Sequence, residues 1–218
     1  MVLFIYGAGG AGGEVYDMVI RNSKFDGRYS EVYFVVDGAE EQVYNNTKVM
    51  DFSSCEKYAG NVGAEFIVAV GEPASRRVMY DKLKREGYSV ATLIDQTAII
   101  SPTSVVSEGC IVNAHAIVSS NTVIKENCMV MFDAIVGHHA LVERDCVICP
   151  KATIGGRSMV GAQAFLGLGS SMLQGVNIGK GAIVGLGSMV FKDVDEGATV
   201  VGNPARATKG NSEHRVFG

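Results

Sequence analysis

The chain has 218 residues, 47% of them hydrophobic and 19% charged, and carries a net charge of −4. That is enough to bury a sizeable core in one or two domains, and too apolar for a disordered chain. An acidic balance without a dense Lys/Arg cluster argues against a nucleic-acid partner, and no apolar run reaches the ~18–20 residues of a membrane span.

The first apolar run, Val2 to Tyr6, is too short for a signal-peptide core and ends in glycines. A soluble, cytoplasmic protein is expected, without membrane insertion. Five cysteines, with no C-x-x-C pair repeated at zinc spacing, point to neither disulfides nor a structural metal.

In chain order, residues 2–6 read as a buried parallel strand. Gly7, Gly9 and Gly12 then fit G-x-G-x-x-G. Residues 14–22 place Val15, Met18 and Val19 on one helical face. Residues 32–36 form a second strand, closed by Asp37-Gly38, and residues 65–70 a third, closed by Gly71-Glu72. Residues 73–86 are a charged amphipathic helix with apolar Val78, Tyr80 and Leu83, and residues 90–94 a fourth strand. Strand–helix alternation predicts a small Rossmann-like parallel α/β domain over residues 1–94, with four or five strands. Ligands of such sheets lie beyond the carboxyl ends of the strands. Glycines there let a phosphate approach the backbone and the following helix N-terminus, and Asp37 is placed to meet a ribose hydroxyl or base edge. Half of a dinucleotide fold suits a mononucleotide.

From residue 95 to 190 the chain divides into sixteen hexads without insertion, from DQTAII to GLGSMV. The sixth place is always Ile, Val, Leu or Met; the fourth is always Ala, Ser, Cys, Thr or Val. Two such columns mean short strands ending at tight corners, three to a triangular coil of eighteen residues. The predicted fold of residues 95–208 is a left-handed parallel β-helix of hexapeptide repeats, with residues 209–218 a flexible tail. Cys110, Cys128 and Cys146 fall in the small fourth column and read as core fillers. Cys149 stands at a first position and Cys55 outside the repeat, so "CVIC" is not a metal or redox motif.

Of four histidines, His214 lies in the polar tail, His115 and His139 hold third places of their hexads, and His138 a second. These last three sit at corners, on the outside. With the repeat, "AIVGHHALV" (134–142), the glycine turn and the closing "VVGNPARAT" (200–208) resemble the sugar acyltransferases typified by the sialic acid O-acetyltransferase NeuD and by N-acetyltransferases of nucleotide-linked aminosugars. The likeness runs from residue 2 to about 208.

The resemblance implies an acetyl-CoA-dependent acetyltransferase acting on the amino group of a nucleotide-linked aminosugar, in surface glycan synthesis. It places the general base on His138, with His139 beside it as the second catalytic candidate. An imidazole titrating near pH 6.5 suits removal of a proton at neutral pH. It implies CoA in a cleft between adjacent β-helices, hence a homotrimer, with Gly156, Leu168, Gly169, Gly185 and Leu186 along the cleft and Lys192 and Arg206 toward the phosphates. It gives the nucleotide sugar to Gly7, Ala8, Gly9, Gly10, Asp37, Gly71 and Glu72. No metal is implied.

The chain departs from the family in three places. His139 stands where members often carry Asp or Glu. Val147 stands nine residues beyond the base, where many carry a second His, and Ala11 replaces the His of a "G-G-H" turn. O-acetylation of sialic acid or a related sugar, and a non-catalytic nucleotide- or CoA-binding homologue, are the alternatives. A dehydrogenase would need a different downstream domain. A zinc carbonic anhydrase on this helix would need an H-x4-H pair, which is absent. Nucleotidyltransferases with such helices have a longer N-terminal domain.

Overall fold

The structure is a computed structural model, and it describes residues 1–40, 42–55, 57, 63–208 and 215–217. It opens with β1 (Val2–Tyr6), α1 (Gly10–Asp26), β2 (Glu31–Val35), β3 (Gln42–Tyr44), β4 (Thr47–Met50) and β5 (Ala64–Val68), followed by α2 (Pro73–Arg85). They form a five-stranded sheet in the order β3-β4-β2-β1-β5, parallel except for the β3–β4 pair. The core strand β1 is buried along its whole length, as an uninterrupted apolar run in a parallel sheet requires. Helix α1 begins four residues earlier than the apolar periodicity indicates and packs Val15, Met18 and Val19 into the core beside Phe34.

The hairpin β3–β4 was not read from the sequence. Asn45 and Asn46 form its two-residue turn with φ of 48° and 57°, the left-handed pair that such hairpins favour, so "YNNT" carried the signal.

The expected fourth strand is a correction. Val90 makes only a single parallel bridge to Phe66, and β6 (Leu93–Ile94) pairs instead with Ile111–Val112. The eighteen-residue offset from Leu93 to Ile111 is that of the coils, so the repeat begins before residue 95.

The hexads form three parallel sheets whose strands pair at eighteen-residue intervals as far as Met189–Val190, as in Ile117 with Ile135 and Ile135 with Thr153; at the last coil Ile183 pairs with Thr199, sixteen on. Strands occupy the fifth and sixth places. Fourth-place Ala116, Cys128, Ala134 and Cys146 and sixth-place Val130, Val136, Val142 and Ile148 are fully buried in one continuous core. The third place carries positive φ from Gly109 onward, in His115, Asn121, Asp133, His139, Arg157 and Gly169 among others. This explains the supply of Asn, Asp and Gly there: a β-branched residue would be strained. Cys110, Cys128 and Cys146 stack one above another, and their thiols donate to the carbonyls of Lys125, Glu143 and Gly161. All five cysteines are free, and burial pushes the Cys128 thiol well above its ordinary value.

The two parts share a core. On one sheet the fifth-place residues Ile111, Met129, Val147, Phe165 and Ile183 are covered by the α/β part. Arg76, fully buried on α2, donates to the carbonyls of Val68 and Val70 and to both the carbonyl and Oδ1 of Asn127 in the β-helix. Arg21 on α1 pairs with buried Asp95 at 2.5 Å. Among the described residues no helix is long and apolar enough to cross a membrane.

The flexible tail expected over residues 209–218 is corrected at residues 216 and 217. Val216 and Phe217 are not free: their amides donate to Glu72 Oε2 at 3.0 and 3.2 Å, and the Phe217 ring meets Phe165 edge-on at 5.8 Å. An aromatic side chain able to reach apolar surface docks where a polar tail would not. Residues 209–214, with His214, lie outside the described residues.

Candidate active site

Two regions hold the residues singled out by sequence. The first is the edge of the α/β sheet where β1, β2 and β5 end. Parallel pairing brings Gly7, Asp37 and Gly71 to the same edge, and backbone bonds tie them: Gly7 N–H donates to Val35 and Ala69 N–H to Tyr6. Gly12 allows the turn to close, since a Cβ there would lie 2.0 Å from the Gly7 carbonyl oxygen. Above Gly9 and Gly10 the space is open, and α1 begins at Gly10 with its N–H groups toward that space. The β3–β4 hairpin walls one side, its Tyr44 hydroxyl 3.4 Å from the Gly9 carbonyl.

Asp37 is already engaged. It accepts from the Tyr6 hydroxyl at 2.5 Å and from Lys82 Nζ at 2.8 Å. Burial raises its carboxyl, but the bonds from Lys82 and Tyr6 outweigh that and hold it below the usual carboxylate range. Burial, with Asp37 beside it, pushes the Tyr6 phenol up to about 12. Any ligand at this corner therefore meets a neutralised Asp–Lys pair rather than a lone acid. Sequence reading missed Lys82 because it lies on α2, 45 residues away. Glu72 lines a cavity of ≈ 320 Å³ with Gln163, Lys180, Ile183 and Val216, so one wall is the C-terminal segment.

The second region is the β-helix surface. Corners stack at eighteen residues, which puts His138 and Gly156 on one corner and Leu168 and Leu186 on another. Within a single chain the structure does not bring these pairs together. His138 is half-buried, and its ring lies against Gly156: a Cβ there would be 2.6 Å from Nε2. His138 Nδ1 and His139 Nδ1 are 3.2 Å apart with the rings nearly perpendicular, and His139 Nε2 lies 3.3 Å from Asn121 Nδ2 in the coil below. Asn121 was not singled out by sequence; its signal was a third-place polar residue eighteen before His139. His115 is on a different corner from His138.

Leu168 and Leu186 are 57% and 79% exposed, an apolar pair left uncovered among the described residues. Gly169 and Gly187 close the corners beneath them in the left-handed region. Gly185 packs against Val201, where a Cβ would lie 2.7 Å from Cγ1. Lys192 and Arg206 line one cavity of ≈ 530 Å³ beyond the last coils, with Phe191 and Pro204. Val147 is buried between the β-helix and the α/β part, an apolar packing position.

A three-sided coil of hexapeptide repeats, with an imidazole packed at one corner and a small α/β domain ahead of it, defines a hexapeptide-repeat transferase. Residues 2–83 match the PglD N-terminal domain, and residues 121–156 match the bacterial transferase hexapeptide (six repeats) family. The whole chain is similar to the acetyltransferase domain of PglB from Neisseria gonorrhoeae, solved with acetyl coenzyme A: 28% identity over 95% of this chain and 98% of that one, TM-score 0.86. It is similar to PerB from Caulobacter crescentus, solved with CoA and GDP-perosamine, at 25% identity over 95% and 97%, TM-score 0.86. It is similar to WeeI from Acinetobacter baumannii at 25% identity over 95% and 100%, TM-score 0.87. These matches support the sugar acyltransferase family, and the chain is an acyltransferase, its repeats wound as a left-handed β-helix.

Proposed function

We propose that this acyltransferase transfers acetyl from acetyl-CoA to the amino group of a nucleotide-linked aminosugar, with His138 as general base. The observation that carries the reading is the His138 imidazole, packed against Gly156 at Nε2 with Nδ1 3.2 Å from His139 Nδ1, so that Nε2 is the ring nitrogen that can meet the acceptor once it is unprotonated. PerB, of the same architecture, is solved with both CoA and a nucleotide-linked sugar, which supports this donor and acceptor class.

Acetyl-CoA supplies the thioester-activated acetyl group when bound. The residues present fit it. Leu168 and Leu186 offer apolar surface for the pantetheine arm beside Gly169 and Gly185, and Lys192 and Arg206 offer cations for phosphates. Leu168, Gly169, Gly185 and Leu186 stand on a different corner from His138, so one complete site needs two copies of the chain, in keeping with a homotrimer. His138 Nε2 takes the proton of the acceptor amine as its nitrogen bonds to the acetyl carbon. The same imidazolium is placed to return that proton to the departing sulfur. The open glycine turn at Gly7, Ala8, Gly9 and Gly10 takes the nucleotide diphosphate, with Asp37 and Lys82 at the rim. Gly71 and Glu72 border it beside the C-terminal segment. In this reading the product serves surface glycan synthesis in the cytoplasm.

Thiol release with acetyl-CoA tests the proposal, with UDP- and GDP-linked aminosugars and free sialic acid as acceptors. Release with a nucleotide aminosugar, lowered by about 10²–10⁴ in His138→Ala, is the expected result. Release only with sialic acid would move the reading to O-acetylation. Release undiminished in His138→Ala would remove the base assignment.

A further inference from the structure

His138 has two nitrogens, and general-base catalysis needs the lone pair on a particular one. Nδ1 faces His139 Nδ1 at 3.2 Å. His139 Nε2 in turn faces Asn121 at 3.3 Å. The three side chains form a chain of hydrogen bonds whose direction fixes every proton in it.

A neutral imidazole has one N–H and one acceptor nitrogen. As the Asn121 amide stands, Nδ2 donates to His139 Nε2. His139 then carries its proton on Nδ1 and donates to His138 Nδ1. That leaves the His138 proton on Nε2, where no base can act. A half-turn of the amide puts Oδ1 toward His139 and reverses the chain. His139 becomes Nε2–H and donates to Asn121, its Nδ1 accepts from His138 Nδ1–H, and His138 Nε2 is free. When Nε2 then gains a proton, the Nδ1–H bond to neutral His139 persists. An amide presents either a donor or an acceptor at nearly the same place, so this one residue can set both states.

We infer that Asn121 is a positioning residue that selects, through His139, which nitrogen of His138 carries the proton, the turnover-competent arrangement being the one in which Asn121 Oδ1 accepts from His139 Nε2–H. The inference rests on His138 being the base. Its backbone supports two clean variants. Asn121 has a φ of 55°, which Gly and Asp tolerate, so neither Asn121→Gly nor Asn121→Asp strains the corner. Asp only accepts and enforces the competent direction; Gly removes the selection.

The test uses the full chain labelled with ¹⁵N-histidine at about pH 8, where unperturbed imidazoles are neutral. With four histidines in the chain, single substitutions assign the signals. Nitrogen shifts and two-bond proton couplings report the tautomer of His138. In Asn121→Asp the proton should sit on Nδ1; in Asn121→Gly it should divide between the two nitrogens. The kcat of Asn121→Gly should fall in proportion to the share of His138 left with its proton on Nε2, about twofold for an even division, with KM for acetyl-CoA and acceptor unchanged, and Asn121→Asp should recover that loss. The same His138 tautomer in both variants, or an Asp variant no faster than the Gly variant, would overturn the inference while leaving the base assignment standing. Activity that survives His138→Ala would overturn both.

Discussion

Gly156→Ala isolates the placement of the His138 ring. Gly156 does not occupy the left-handed region, so alanine fits its backbone. The added Cβ would lie 2.6 Å from His138 Nε2, 2.7 Å from Cε1 and 3.0 Å from Cδ2. Ordinary carbon contacts begin near 3.4 Å, so the ring must move by about 0.8 Å, and a displacement of ~1 Å at a reacting group costs on the order of 10²-fold in rate. The moving atoms are the far end of a half-buried side chain, so stability should change by less than about 1 kcal/mol. Steady-state thiol release should show kcat down roughly 10²-fold with KM for acetyl-CoA nearly unchanged, and thermal melts should superpose. A kcat within threefold of the parent, or a loss confined to KM for acetyl-CoA, would refute the reasoning. The latter would give Gly156 to the CoA surface instead of the imidazole.

Other residues make separate predictions. Asp95 accepts from Thr97 N, Thr97 Oγ1 and Arg21 Nη2, and these bonds outweigh burial to hold its carboxyl below the usual range. A depressed folded value means that its stabilisation is present above about pH 4 and is lost as pH falls through that lower value. Asp95→Asn should therefore cost about 1–3 kcal/mol at neutral pH, with the gap in urea unfolding closing in acid; a gap constant down to pH 2 would contradict this. Arg76→Met strips four hydrogen bonds from buried partners and should lower unfolding free energy by about 3 kcal/mol, where a loss below 1 kcal/mol would mean that water replaces the guanidinium. Gly12→Ala drives a Cβ against the Gly7 carbonyl, a backbone atom that cannot step aside, and should destabilise the chain by about 2–3 kcal/mol; an unchanged melting temperature would count against the tight turn.

The sequence by itself determined the β-helix. A period of six with one aliphatic and one small column admits one way to bury both columns, and the coil core follows it residue by residue through Cys128, Ala134, Val136 and Val142. It also determined the strand–glycine–helix opening, because β1 is an uninterrupted apolar run and Gly12 stands where no side chain fits. The stacking interval was legible too, and with it the relation of His138 to Gly156 and of His139 to Asn121, though the polar bond between the last pair was not. What only the tertiary structure decided depends on contacts between segments far apart in the chain. Local pattern assigned 90–94 to the sheet, but the strand partner of Leu93 is Ile111, and pairing rather than hydrophobicity sets membership. Asp37 looked like a free acid because its partner Lys82 reaches it from helix α2, far along the chain. The tail looked unstructured because Glu72 and Phe165, which hold Val216 and Phe217, lie at least 50 positions away. Composition could not reveal those contacts, since each depends on where the α/β part comes to rest on one face of the coil, which buried Arg76 and the fifth-place residues Ile111 to Ile183 fix together.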